Sequence, residues 1–301
     1  MRFLKINSAH IKNENGFKLL ATHANATIVE TTDKNPSDKN IWKEEFDLVW
    51  IPKGFQHSLE FPNAKRILYG PHNFVFPQLP WLYQINPEFT KSIYTSLSDY
   101  VLNLYSQFGK LCMPVKPIPF PVDVEKFKPI DKKTYEYDCF LYFKGRDPKY
   151  FTYMKGLLEE KGITYIALEY GKYKEEDYIT ILNKVKFGIW IGSHESQGFA
   201  LQEALSMNVP LLVFDVKSLT DEINSFGNRS YTEYEPQYNL SATSCPYWDS
   251  RCGIVFTELS SIDVKLDEIS SRYTEFKPRD YILETLSPKV CYERIISMFD
   301  L

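Results

Sequence analysis

Two glutamates, Glu195 and Glu203, stand with seven residues between them in the stretch 193–216, SHESQGFALQEALSMNVPLLVFDV. Carboxylates so placed can be solvated decoration on a surface helix, or they can hold a ligand. KFGIWIGS, just upstream, reads as a buried strand that delivers the chain to the carboxyl edge of a parallel sheet, where open α/β sheets bind ligands. SHESQG is then the loop, with a helix starting near Gly198 and Ser196 as its N-cap. The free N–H groups near Gly198, Phe199 and Ala200, with the helix dipole, favour an anion such as a diphosphate. A glycine at 198 lets that anion approach the backbone. Glu203 lies among Phe199, Ala200, Leu201, Ala204 and Leu205. If buried there its carboxylate needs a partner, and the two hydroxyls of a ribose fit. Helical periodicity taken alone places it instead on a solvated face.

The elements that must position these residues follow from the hydrophobic pattern. Short apolar runs alternate with helical patterns, which predicts βαβ units and a mainly parallel sheet. In the first half RFLKI, ATIVE, FDLVWI, RILYG, KSIYTS and KPIPF read as strands, and NGFKLLATHA lies between them. LSDYVLNLYSQFG reads as a helix, with Leu97, Val101, Leu104 and Phe108 at helical spacing and Gly109 ending it. Residues 114–133 hold five of the 18 prolines and read as an extended connection and domain boundary. A second series follows: strand YDCFLYFKG, helix KYFTYMKGLLEEKG, strand ITYIALEYG, helix KEEDYITILNKV, strand KFGIWIGS, helix GFALQEALSMN and strand PLLVFDV. SLTDEINSF, KLDEISSRYTEF and SPKVCYERIISMF read as later helices.

Composition narrows the function classes. Net charge is −4 with both signs interspersed, so the electrostatic footprint of a nucleic-acid binder is missing. The start of the chain, MRFLKINSAHIKN, has no apolar h-region, and no apolar run approaches a spanning length of about 18 residues. The expectation is a soluble, cytoplasmic protein, with peripheral membrane association left open. Five cysteines at wide spacing read as reduced thiols; Cys245 and Cys252 in CPYWDSRC leave room for a loop disulfide or half a metal site. No G-x-G, no G-K-[ST] and no G-x-S-x-G occurs, which disfavours the usual dinucleotide, P-loop and serine-hydrolase chemistries.

The stretch S-x-E-S-x-G-F-A-L-x-E-A-L-S-x-x-V-P-L-L-V resembles the E-x7-E signature of retaining GT-B glycosyltransferases of the family 4 type. Asn208 stands where that family usually has glycine; asparagine also tolerates a left-handed turn. The resemblance continues in order from about residue 92 to the end. PIPFPVDVEKFKP is similar to the family's interdomain sequence, with Pro121 in place of a glycine. FLYFKGRDPKYF is similar to the first strand and loop of its donor domain, and GIVFTELSSIDVKLDEI and ETLSPKVCYERIISMF to its C-terminal tail. The first domain is shorter than the family's acceptor domain, and its first loop, INSAHIKNENGF, has Gly16 alone in place of a Gly-rich run.

What the resemblance implies is an α/β protein of GT-B architecture: two Rossmann-like domains with mainly parallel sheets facing a central cleft. The expected divisions are a compact acceptor-side domain at 1–118, a Pro-rich linker at 119–133, a nucleotide-sugar-binding domain at 134–286, and a C-terminal helix at 287–301 able to cross back to the first. The substrate would be a nucleoside-diphosphate sugar, UDP- or GDP-linked, and the acceptor a carbohydrate or glycoconjugate hydroxyl. Glu203 would hold the ribose, and Glu195 the sugar near the reacting centre. Arg146 with Lys149 or Lys144 would neutralise the leaving diphosphate, as growing charge on phosphate oxygens demands; a solvated basic loop is the plainer reading. Ser196, Gly198, Phe199 and Ala200 would line the phosphates. His72, just after RILYG, would face the donor sugar. No cofactor or metal is expected, since basic side chains and a helix terminus replace the metal; the nearest approach to the D-x-D of the metal-dependent class is DVE at 123–125, inside the linker. An inverting enzyme, with His72 or Asp47 as base, and a non-catalytic nucleotide-sugar-binding protein remain alternatives.

Overall fold

The computed structural model describes residues 1–7, 9–31, 36–52, 61–71, 91–107, 109, 112–131, 134–221 and 237–299. They form two compact units, one within Met1–Asp123 and Leu286–Leu301, the other Val124–Thr285. The change of unit falls inside the proline-rich stretch.

The first unit is built on a six-stranded sheet of order β2-β1-β3-β4-β5-β6, every described pairing parallel. Its strands are β1 (Arg2–Ile6), β2 (Thr27–Thr31), β3 (Leu48–Ile51), β4 (Ile67–Tyr69), β5 (Ser92–Thr95) and β6 (Val115–Lys116). KPIPF yields almost none of its expected strand, because Pro117 and Pro119 bring no N–H to a ladder. Helix α1 (Ile11–His23) covers most of NGFKLLATHA and is capped by His10, whose ring accepts from the Lys12 N–H. Gly16 therefore belongs to a helix, not to a phosphate loop. Its missing side chain makes room for Phe120, whose Cβ would lie 2.6 Å from an added methyl. Phe17 of α1 joins Phe3, Trp50 and Phe120 in a series of tilted ring contacts, with centroids 4.7–5.7 Å apart. Helix α2 (Asp99–Ser106) stops short of Gly109, and Phe108 lies outside the described residues. The last helix, α8 (Pro288–Phe299), packs on α1 in this unit; its Tyr292 ring meets that of His23 edge-on at 5.6 Å.

The second unit holds a five-stranded parallel sheet of order β11-β10-β9-β7-β8. The strands are β7 (Tyr137–Phe143), β8 (Tyr165–Glu169), β9 (Val185–Ile191), β10 (Leu211–Phe214) and β11 (Gly253–Phe256); the helices are α3 (Pro148–Glu160), α4 (Glu175–Leu182), α5 (Phe199–Ser206), α6 (Ile262–Arg272) and α7 (Pro278–Thr285). Helix α3 begins where Asp147 accepts from Lys149 N and Pro148 presets the first turn. Strands β7, β9 and β10 are apolar because both faces are covered. Leu141, Ile189, Leu212 and Phe256 pack with Met154, Leu158, Leu266 and Ile269 on one face; Phe140, Tyr142 and Trp190 take the other, where the Tyr142 and Trp190 rings stack at 3.7 Å. Strand β11 and helix α7 are elements the hydrophobic pattern did not single out. Of the helix expected at SLTDEINSF, only a 3-10 turn, Leu219–Asp221, is described; the rest lies outside the described residues.

The order of this sheet decides where a site can form. The chain enters at β7, adds β8 on one side, then returns to lay β9 on the other. The loops leaving β7 and β9 diverge at that switch point, which leaves a crevice between their carboxyl ends.

Candidate functional site

The loop after β7 carries Lys144 and Arg146, and the loop after β9 carries His194, Glu195, Ser196 and Gln197. The Lys144 N–H donates to Ile191 O at 3.0 Å, which locks the two strand ends together. The Lys144 Nζ then reaches Glu195 Oε1 at 2.5 Å, with both side chains largely buried, and also lies 4.7 Å from the Tyr170 ring centroid. Two residues 51 apart in sequence thus meet at the switch point.

Arg146 is 5% exposed. Its guanidinium donates to Gly192 O at 3.3 Å and Phe214 O at 3.2 Å and lies over the Phe214 and Tyr150 rings. It clamps the ends of β9 and β10. Lys149 is different: its side chain is 68% exposed and pairs with Asp147 at 2.7 Å on the first turn of α3. Of the two lysines that could serve a diphosphate, Lys144 is the one joined to Glu195.

Gly198, not Ser196, is the N-cap of α5. It sits at φ 85°, ψ 50°, with no side-chain cap. That left-handed conformation costs an L-residue roughly 1–2 kcal/mol, and glycine nothing comparable. It ends the loop and starts the helix in one residue, so the first N–H groups of Phe199, Ala200 and Leu201 are not met by a serine hydroxyl at the cap. Gln202 folds back instead, its Nε2 donating to Gln197 O at 2.5 Å.

Glu203 is 4% exposed, so the solvated-face reading fails. Periodicity misleads here because α5 is covered on more than one side, and every residue from Leu201 to Ser206 is buried. Tyr178 of α4 donates to Ala200 O at 2.8 Å. Burial pushes the Tyr173 phenol up to about 12, with a hydrogen bond from Tyr142 working against it and the charge of Glu203 adding to it. Burial raises Tyr178 as well, again with Tyr173 and Glu203 adding. Glu203 therefore lies close to the Tyr173 and Tyr178 phenols.

The other end of α5 is held by Arg279 of α7. Its Nη1 donates to Ser206 O at 2.7 Å and Phe127 O at 2.9 Å, and its Nη2 to Val124 O at 3.0 Å. A cation on the last carbonyls suits the helix dipole. Asn208 then adopts φ 57°, the left-handed turn expected of it.

Neither Arg279 nor Asp215 emerged from the sequence reading. Asp215, directly after β10, binds the turn 243–245, and Thr243 O in turn accepts the Glu195 N–H at 3.0 Å. The one available signal was an acid closing an apolar strand run. His72 lies outside the described residues. Asp47 precedes β3, at the amino-terminal edge of its sheet, and its oxygens accept from Lys65 Nζ at 2.6 Å and Arg2 N at 2.9 Å. The Lys65 hydrogen bond holds its carboxyl below the usual range, which does not suit a general base. All five cysteines are free thiols, and among the described residues no group of three or more His, Cys, Asp or Glu side chains is arranged to hold a metal ion. No described helix is long and apolar enough to cross a membrane.

The two parallel-sheet Rossmann-like domains match structures of GT-B glycosyltransferases. The lipopolysaccharide outer core galactosyltransferase WaaB in its apo form aligns over 99% of this chain and 98% of its own, at 10% identity and a TM-score of 0.53. Sucrose-phosphate synthase from Thermosynechococcus elongatus aligns over 100% and 98%, at 9% identity and a TM-score of 0.55. Identities this low show a shared fold. No family model matches the sequence, and no curated protein matches it either.

Proposed function

We propose that this protein is a glycosyltransferase that moves a sugar from a nucleoside-diphosphate sugar to an acceptor hydroxyl, with retention at the anomeric carbon and without a metal ion. The observation that carries the reading is the grouping of Lys144, Glu195, the α5 N-terminus and buried Glu203 at one switch-point edge. The similarity of fold to known glycosyltransferases supports it.

In this reading the ribose hydroxyls donate to Glu203, and the diphosphate rests on the first N–H groups of α5. Lys144 neutralises the charge that grows on the leaving diphosphate, where a preorganised cation lowers the barrier. Glu195 orients the sugar. Arg146 acts behind them by fixing the carbonyls that set the loop. Lys149 has a lesser part, since it is committed to Asp147 and solvent. UDP or GDP is the expected nucleotide, and the acceptor is a glycan or glycoconjugate.

The test is a thermal-shift and turnover screen with UDP-glucose, UDP-galactose, GDP-mannose and ADP-glucose. Stabilisation by one of them, with release of its nucleoside diphosphate in the presence of EDTA, supports the proposal. NMR of the product anomer separates retention from inversion. Binding without turnover on any acceptor or water would make the protein a nucleotide-sugar-binding module instead.

A further inference from the structure

We infer that Asp215 is a positioning residue that holds the Glu195 loop in its working geometry through the 243–245 turn; the functional half of this inference rests on the glycosyltransferase reading.

Asp215 follows β10, and its N–H extends the ladder to Phe256 O at 2.9 Å, so its backbone is fixed to the sheet. Its carboxylate gathers most of its donors from one turn. Oδ1 accepts from Ser244 N and Ser244 Oγ, both at 2.6 Å, and from Val216 N at 2.9 Å. Oδ2 accepts from Thr243 Oγ1 at 2.7 Å, with the Cys245 thiol at 3.8 Å. Burial, and next the charge of Asp215, push that thiol up, so it stays a neutral donor at ordinary pH.

So many donors on one carboxylate argue against a base or a nucleophile. They make it an anchor. What it anchors is the point. The Thr243 carbonyl accepts the Glu195 N–H at 3.0 Å. The Ser244 carbonyl lies 3.6 Å from where a Gly198 side chain would begin. Asp215 therefore reaches Glu195 through one hydroxyl and one backbone bond, and it bounds the turn at Gly198 from the same side. A carboxylate placed only to close a loop would have no reason to end on these two positions.

Two measurements on the full chain test this. The first is amide hydrogen exchange by mass spectrometry in Asp215→Ala and Asp215→Asn. The Ala variant should exchange faster in peptides covering Glu195 and residues 243–245, while β7 and α6 keep their protection. The Asn variant keeps an acceptor oxygen for Ser244 and should recover part of the protection. Unchanged exchange at Glu195 in Asp215→Ala overturns the inference, whatever the protein's activity. The second is steady-state hydrolysis of whichever of UDP-glucose, UDP-galactose and GDP-mannose the wild-type protein turns over fastest. Misplacing a group that touches the reacting sugar should lower kcat about 10- to 100-fold, with donor KM within about threefold and partial rescue in Asp215→Asn. Ile269→Val, on the buried face of α6, is the control for simple destabilisation: it should lower the melting temperature and leave kcat alone. An unchanged kcat in Asp215→Ala, with only the melting temperature lowered as in that control, also overturns the inference. If the wild-type protein turns over no donor of the screen with water or with any acceptor, the glycosyltransferase reading fails and the exchange result alone decides the role of Asp215.

Discussion

Lys144 Nζ and Glu195 Oε1 lie 2.5 Å apart at the carboxyl ends of β7 and β9, the two strands that flank the switch point of the second sheet. The pair is largely buried, so each charge depends on the other until a ligand replaces it. A nucleoside-diphosphate sugar offers such a replacement, with phosphate oxygens for the lysine and hydroxyls for the glutamate. Lys144→Ala should therefore lower kcat for donor hydrolysis by about 100-fold, in the range seen when one transition-state donor is removed. Lys149→Ala should change it less than about threefold, because that side chain is exposed and paired locally. Equal losses in the two variants, measured as nucleoside-diphosphate release, would reverse the assignment.

Glu203 should decide donor affinity. Replacing it with alanine removes charge-assisted bonds of about 1.5–3 kcal/mol, or roughly 10- to 100-fold in Kd. Calorimetry with the donor that stabilises the wild-type protein measures this directly. An unchanged Kd would sink the ribose role.

Gly198→Ala puts a side chain at φ 85° with its Cβ 3.4 Å from Glu195 Cβ. The conformational cost alone is about 1–2 kcal/mol. The variant should melt lower and bind donor more weakly, since the first turn of α5 must shift. Retained affinity despite a lowered melting temperature would show that this turn does not hold the phosphates.

Gly188→Ala tests the packing of the second sheet. An added Cβ would meet the Phe140 ring at 2.3 Å and Leu211 Cδ2 at 2.7 Å. Overpacking of this kind costs about 1–3 kcal/mol, read as a loss of unfolding free energy in a urea titration. A variant as stable as wild type would mean that Phe140 has room to move.

Asp138 makes stability depend on acid pH. Burial raises its pKa, but hydrogen bonds from Lys186 Nζ at 2.6 Å and from Thr164 outweigh that, and the net shift is downward. A lowered folded-state pKa means that the contribution is complete above the ordinary value of 3.8 and is lost as pH falls below it. Asp138→Asn should melt lower than wild type at pH 7, and the gap should narrow as pH falls from about 4 toward 3. A gap independent of pH would assign the loss to packing instead.

Much of the fold was legible because local pattern and tertiary role agree. Strands such as YDCFLYF and KFGIWI are apolar over most of their length since both faces are covered there, and the turn at Asn208 follows from one residue's tolerance of positive φ. KPIPF was misread because apolar residues suggest a strand while the prolines between them remove its donors. Helix α7 went unseen: a proline opens it and charged residues fill its first turn, so it lacks a strong apolar stripe.

The site divides the same way. The residue types and spacing of Glu195, Gly198 and Glu203, and the basic loop at 144–149, are local facts, and the sequence by itself was enough to single them out. Which lysine meets Glu195, that Arg146 turns inward to two carbonyls, that Glu203 is buried, and that Asp215 and Arg279 hold the two ends of the arrangement are decided by tertiary structure alone. The physical reason is strand order. Placing β9 beside β7 brings together loops some 50 residues apart, and hydrogen bonds across such gaps leave no periodicity in the chain that makes them.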